Sequence, residues 1–267
     1  MAARRYTMAE HLADHRQELI MSVLSARGEC RTKQLAEQFQ SSEMTLRRDL
    51  VQLEKRGLLR RVHGGAVLIN RDVDYAQRLE LGHAQKQWVG RTAARLLKSG
   101  QTIYLDAGTT ACEMARAIAQ GLPQVSHLTI VTHGISNALE LAGRTPYQLQ
   151  LIGGEIYQNA LSTFGPVALA QIANLTFDQF FMAAGGVDAR AGWSNTNIVE
   201  AVVKRAVIAR SKSVVAICDS AKWGQESFAP IVHFEGVSSW VVDRGLARDG
   251  IAAAKAAGIT LIDATGA

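Results

Sequence analysis

Apolar residues recur at helical spacing through the N-terminal part of the chain. Leu19, Ile20, Val23 and Leu24 stand at i, i+1, i+4 and i+5 and predict one buried face of a helix. Gly28 ends it, because glycine accepts the left-handed conformation needed just past a helix C-terminus. A second short helix is expected from Thr32 to Phe39, with Leu35, Ala36 and Phe39 on one side. Ser41 and Ser42 interrupt the pattern, and either can cap a third helix from Glu43 to Lys55, where Leu46, Leu50 and Leu53 form a stripe. Beyond Gly57, residues 58–68 read as two β-like segments joined through Gly64-Gly65, a hairpin wing. Three short amphipathic helices with a tight turn before the third make a helix-turn-helix pattern.

Downstream the period changes. Short apolar runs at Thr102–Leu105, Leu128–Val131, Leu149–Ile152, Gln179–Ala183, Val214–Cys218 and Trp240–Val242 predict buried strands. Helical segments lie between several of them, at about Thr110–Ala119, Ile135–Leu141, Pro166–Ala173 and Thr196–Arg210. Such alternation predicts an α/β domain with a mostly parallel sheet and helices on both faces. The expected layout is a tail over 1–12, a helix-turn-helix module over 13–68 and a linker over 69–85. An α/β body over 86–243 follows, then a C-terminal helix and strand over 244–267.

Charge separates the two parts. Of 29 Lys and Arg against 24 Asp and Glu, residues 1–71 hold 13 basic and 8 acidic side chains, and the remainder is balanced. The surplus sits in the module, as expected for one facing a polyanion. Three widely spaced cysteines support neither a disulfide framework nor a metal site, and His11 and His15 at i, i+4 lack a third ligand nearby. No cofactor is expected. Without a signal-like or membrane-length apolar stretch, a cytoplasmic location away from the membrane is expected.

On the third helix, 100° per residue places Thr45, Arg48 and Gln52 on one outer flank and Arg47 on the other. Arginine pairs bidentately with guanine edges or binds phosphate, and threonine meets a thymine methyl or a phosphate oxygen. Ser42, Glu43 and Met44 open the same helix, and Arg60, Arg61 and His63 lie on the wing. Asp49 falls near the margin of the leucine stripe and is not expected to touch a base. The run Ser42 to Leu50, then Leu53, Gly57 and Arg61-Val62-His63-Gly64-Gly65-Ala66, resembles the winged helix-turn-helix of the DeoR family of bacterial transcriptional regulators.

In open parallel sheets ligands sit beyond the C-terminal strand ends, so the loops there carry the candidate chemistry. Asp106-Ala107-Gly108-Thr109-Thr110 leaves the first strand and opens a helix, a combination suited to an anion. Thr132-His133-Gly134, Gly153-Gly154-Glu155 and the stretch from Gly185 through Asp188 to Gly192 follow later strands. Cys218-Asp219-Ser220-Ala221-Lys222 supplies a carboxylate, a hydroxyl and a cation. Glu200 and Lys204 stand at i, i+4, readable as an exposed pair or as site groups. Cys112 near a helix start reads as a small buried hydrophobe.

These segments resemble the effector domain of the same family, whose fold is similar to that of ribose-5-phosphate isomerase and related sugar-phosphate enzymes. Asp106 to Thr110 matches its D-x-G-T-T phosphate loop. Gly153-Gly154, Gly165, Gly186 with Asp188, Gly192 and Asp219 to Lys222 match later motifs. Two positions depart from the pattern: His133 replaces a common asparagine, and Ala221 alters the spacing before Lys222. The resemblance implies a repressor of a carbohydrate-utilisation operon that binds double-stranded operator DNA and is released by a phosphorylated sugar. The protein is expected to act as a homo-oligomer, a dimer or tetramer, and not as an enzyme. The alternative is a sugar-phosphate isomerase-like enzyme with an appended DNA-binding head, in which Glu200, Asp188 or Asp219 acts as base.

Overall fold

The computed structural model of the chain describes residues 16–17, 19–21, 23–24, 29–55, 59–62, 64–68 and 75–265. It divides into two compact units, Met1–Arg71 and Asp72–Ala267.

In the first unit the described positions between 16 and 24 are helical. They precede β1 (Glu29–Arg31), α1 (Thr32–Gln38), α2 (Glu43–Lys55), β2 (Leu59–Val62) and β3 (Gly65–Leu68). The leucine stripe packs as its spacing predicts: Leu46, Leu50 and Leu53 of α2 share a core with Ile20, Leu24, Leu35, Leu59 and Ala66. The wing is a three-stranded antiparallel sheet in the order β1-β3-β2, so the two-stranded hairpin expected from the pattern gains a third strand. Asp49 is buried and receives hydrogen bonds from Arg16 Nε (2.5 Å) and Gln17 Nε2 (3.4 Å), which tie α2 to the preceding helical residues.

The second unit opens with α3 (Tyr75–Glu80), inside the stretch whose lack of a clear period suggested a linker, and α4 (His83–Ala94), which begins at the end of that stretch. Residues 69–74 of that linker lie outside the described residues; residues 75–85 are helical and turn, and they pack. Tyr75 is buried and the carbonyl of Arg78 accepts from the buried Lys86 of α4, so residues 75–85 are anchored to the body by single side chains. There follow β4 (Thr102–Leu105), α5 (Thr109–Ala119), β5 (Thr129–Thr132), α6 (Ile135–Leu141) and β6 (Gln148–Leu151). Then come the hairpin β7 (Glu155–Tyr157) and β8 (Ser162–Phe164), α7 (Pro166–Ala173) and β9 (Gln179–Met182). The chain continues through β10 (Gly186–Asp188), β11 (Gly192–Asn195), α8 (Ile198–Ile208), β12 (Val214–Ile217) and β13 (Ala229–Val232). It closes with β14 (Ser239–Val242), α9 (Arg248–Ala256) and β15 (Thr260–Asp263).

Seven of these strands form a parallel sheet in the order β15-β14-β12-β9-β4-β5-β6. Alternation along each strand divides its side chains between two cores. Ile103, Leu105, Phe181, Val215 and Ile217 meet α4 and α5 through Val89, Ala93, Met114 and Ile118. Tyr104, Phe180, Met182 and Trp240 meet α7 and α8 through Ile172, Ala201, Val203 and Val207 on the opposite face. A smaller antiparallel sheet, β10-β11-β13, covers that second core, with Trp193 fully buried and its indole N–H donating to the carbonyl of Phe234 (3.0 Å). On the first face α4 and α5 approach to backbone contact: a Cβ at Gly90 would lie 2.6 Å from the amide nitrogen of Met114.

The chain runs from β4 outward through β5 and β6, then returns to β9 on the other side of β4. That reversal opens a crevice between the C-terminal ends of β4 and β9, the place where parallel α/β sheets bind ligands.

Candidate functional site

The crevice is braced by one carboxylate. Asp106, directly after β4, is fully buried; its Oδ1 accepts the amide of Ala107 (2.9 Å) and its Oδ2 that of Ala183 (2.7 Å), directly after β9. Lys204 of α8 closes an ion pair on the same Oδ2 and donates to the carbonyl of Ala183 (2.9 Å). Burial pushes the Asp106 carboxyl up and Lys204 opposes that shift. Asp106 is thus committed to positioning the two loops that line the crevice.

The i, i+4 spacing of Glu200 and Lys204 does not make them an exposed pair. Both are buried, and they point to different partners: Glu200 accepts from Asn195 Nδ2 (3.0 Å), while Lys204 goes to Asp106. Asn197 caps α8 by accepting the amides of Val199 (2.9 Å) and Glu200 (3.2 Å), which fixes the turn that carries Glu200.

At the other end of the Asp106 loop, Gly108 has φ +111°, a conformation that glycine adopts without strain, and it leads into α5. No side chain caps α5, and Thr109 and Thr110 are mostly buried at its start. The first-turn amides of a helix carry partial positive charge and suit an anion.

The β5 loop packs alongside. Thr132 Oγ1 accepts from the amide of Gly134 (3.0 Å) and from Asn137 Nδ2 (3.1 Å), and Asn137 also donates to the carbonyl of Asp106 (2.6 Å). His133 is completely buried, with Nδ1 2.9 Å from the Tyr104 hydroxyl and Nε2 3.8 Å from Asp106 Oδ1. Burial first, and Lys204 second, pull its pKa down to about 3, so the imidazole is neutral. A proton on Nε2 lets Tyr104 donate to Nδ1 and turns the N–H toward the carboxylate. Three buried polar atoms here, His133 Nε2, Asn137 Oδ1 and Ser162 Oγ, have no hydrogen-bond partner among the described residues. Asn137 and Tyr104 escaped the sequence reading; an asparagine inside the apolar stretch Ile135–Leu141 was the available signal.

Other expected residues are engaged differently. Gly153 donates its amide to Gln171 Oε1 (3.1 Å), and a Cβ at Gly154 would lie 2.3 Å from the carbonyl oxygen of Phe164, so this pair seats the β7–β8 hairpin. Asp188 accepts the amides of Arg190 (2.8 Å) and Ala191 (3.0 Å), capping the β10–β11 turn within the smaller sheet. Those amides hold its carboxyl below the usual range. After β12, Asp219 caps a 3-10 turn over Ser220–Lys222 by accepting the Ala221 amide (3.1 Å). Lys222 is half-buried, and its ammonium forms no hydrogen bond or ion pair among the described residues. The crevice therefore gathers Asp106, Gly108, Thr109, Thr110, Thr132, His133, Glu200 and Lys204, while Asp188 does turn chemistry.

In the first unit, Ser42 Oγ accepts the amide of Thr45 (3.2 Å) and shares a hydrogen bond with its hydroxyl (2.8 Å), capping α2. Met44, Arg47 and Arg48 are exposed; Arg47 reaches back to Glu43 (3.3 Å), and Arg48 has no such partner among the described residues. Gln52, also exposed, accepts from Gln17 Nε2 (2.6 Å). Arg61 is paired with Glu54 (2.6 Å), binding the wing to α2. The Arg60 side chain, His63, His11 and His15 lie outside the described residues.

Among the described residues no group of His, Cys, Asp and Glu is placed to hold a metal ion, and no helix is long and apolar enough to cross a membrane. Residues 16–72 match the family model of the DeoR-like helix-turn-helix domain, and residues 82–244 match that of the DeoR C-terminal sensor domain. The chain is similar to the uncharacterized HTH-type transcriptional regulator YulB of Bacillus subtilis, at 33% identity over 88% of this chain and 90% of that protein. It is also similar to the glycerol-3-phosphate regulon repressor of Escherichia coli K12, at 29% identity over 78% of this chain and 82% of that one. Among solved structures it is similar to a D-ribose-5-phosphate isomerase in complex with phospho-erythronic acid. That likeness has a TM-score of 0.40 and 13% identity over 53% of this chain and 54% of the other.

Proposed function

Because the chain belongs to the DeoR family of transcriptional regulators, we propose that it is a repressor whose α/β body senses a phosphorylated sugar or polyol and thereby releases operator DNA. The observation that carries this reading is the uncapped start of α5 at the topological switch point, beside a buried, fully paired Asp106–Lys204 brace. The amides of Thr109 and Thr110 suit the phosphate. Glu200 and the neutral His133 suit hydroxyl groups, since a carboxylate accepts and an imidazole N–H donates.

Arg48, with Thr45 and the start of α2, reads base edges in the major groove, and the wing lies along the backbone. Effector and operator favour different states of the protein, so each weakens the other by the same factor. Homo-oligomers would match repeated half-sites in the operator and gain affinity by tethering.

The test is a gel-shift titration on DNA from upstream of the protein's own operon, with and without a panel of phosphorylated sugars and polyols. The reading requires DNA binding without ligand, and release by at least one phosphorylated compound and not by its dephosphorylated form. Binding that no member of the panel weakens would overturn the sensing half of it.

A further inference from the structure

The two edges of the parallel sheet are built differently. At one edge β15 carries Asp263, which pairs with Arg244 (2.9 Å), and charges of this kind keep an edge strand from accepting another. At the other edge β6 has no such guard. Residues 145–154, Thr-Pro-Tyr-Gln-Leu-Gln-Leu-Ile-Gly-Gly, hold no charge, and Gln148, Gln150 and Leu151 are exposed, Leu151 by 45%. Further large apolar side chains are exposed on the segments around it: Leu139 on α6, which packs on β6, and Ile156 and Leu161 of the β7–β8 hairpin that follows.

The backbone of β6 is satisfied on one side only. Gln148 and Ile152 donate their amides to the carbonyls of Leu128 (3.1 Å) and Thr132 (2.8 Å) on the β5 side, so the alternate residues Leu149 and Leu151 turn their N–H and C=O groups away from β5. Those groups have no hydrogen-bond partner among the described residues.

We propose that β6 pairs antiparallel with β6 of a second copy of this chain, across a two-fold axis through Gln150, so that the two sheets become continuous. In that register Leu149 stands opposite Leu151 of the second copy and Leu151 opposite its Leu149. Both become hydrogen-bonded pairs that use every outward N–H and C=O of the two leucines, and the leucines meet on one face while Gln150 meets its own copy on the other. Arg144 precedes the strand and Glu155 follows it, so antiparallel pairing also brings ends of opposite charge together. A foreign strand would have to match this alternation and these end charges; the same strand matches them by symmetry. The proposal deepens the reading that the protein works as a homo-oligomer by naming the surface, and it does not depend on the effector.

The experiment is sedimentation of the full chain without DNA. Gln150→Lys and Gln150→Glu each set like charges face to face at the axis, and because Gln150 is exposed the far-UV circular dichroism should stay as in wild type. Each variant alone should sediment at half the wild-type mass or less, with a dissociation constant raised at least tenfold. An equimolar mixture of the two should recover the wild-type mass, since unlike charges then face each other. Variants that assemble like wild type would overturn this surface and leave the homo-oligomer reading standing. Variants that dissociate but do not recombine when mixed would overturn the two-fold pairing, and a wild type that is monomeric at every concentration would overturn both readings. Should either variant fail to fold, Leu151→Lys takes its place, and an unchanged mass would overturn the proposal.

Discussion

Lys204 and Asp106 meet across the sheet edge with 2% and 0% of their side chains exposed. A buried pair of this kind contributes little net stability against an apolar replacement, but removing one member strands the other charge. Asp106→Asn should destabilise the protein by about 3–5 kcal/mol in urea unfolding, and Asp106→Asn with Lys204→Met should recover most of the loss. A single variant as stable as wild type would show that the brace is dispensable.

His133 stays neutral in the folded protein down to about pH 3, whereas an unfolded histidine takes up its proton near 6.5. The unfolded state therefore binds more protons between these values, and stability falls as pH drops through that window. Relative to His133→Asn, wild type should lose roughly 2–3 kcal/mol on going from pH 7 to 4.5. Parallel stability profiles for the two proteins would contradict this environment for the imidazole.

Neighbours in sequence, Arg48 and Asp49 should fail in opposite ways. Arg48→Ala removes an exposed cation and is expected to cost at least tenfold in operator affinity with an unchanged melting temperature. Asp49→Ala breaks the contacts with Arg16 and Gln17 and should cost about 1–3 kcal/mol in stability. Gel shifts and thermal melts on both variants check the contrast.

Burial, with Lys222 beside it, pulls the Lys86 ammonium down to about 8. An unfolded lysine keeps its proton up to about 10.4, so the unfolded state binds more protons between these values and stability should rise as pH climbs through that window. Relative to Lys86→Met, wild type should gain roughly 2 kcal/mol in urea unfolding on going from pH 8 to 10. Parallel stability profiles for the two proteins would contradict this environment for the ammonium.

The apolar periodicities carried most of the architecture. Leu46, Leu50 and Leu53 announced the buried side of α2, and the runs around Ile103, Ile130 and Val215 announced the parallel sheet, because both patterns record which side chains leave water. The three-residue strands β7, β8 and β10 are too short to show any period, so those pairings were invisible. Spacing also tells which face a residue occupies but not what covers that face, which is why Glu200 and Lys204 could be read either as an exposed pair or as site groups. Lys86 lay hidden for a related reason: a single buried polar side chain at the start of α4 leaves no mark on the apolar period.

Gly90 has one more implication. With no side chain between them, α4 and α5 touch backbone to backbone along that stretch, and neither can slide past the other without a collision. A side chain at position 90 would wedge the two helices apart and open the core that Val89, Ala93 and Met114 fill between them.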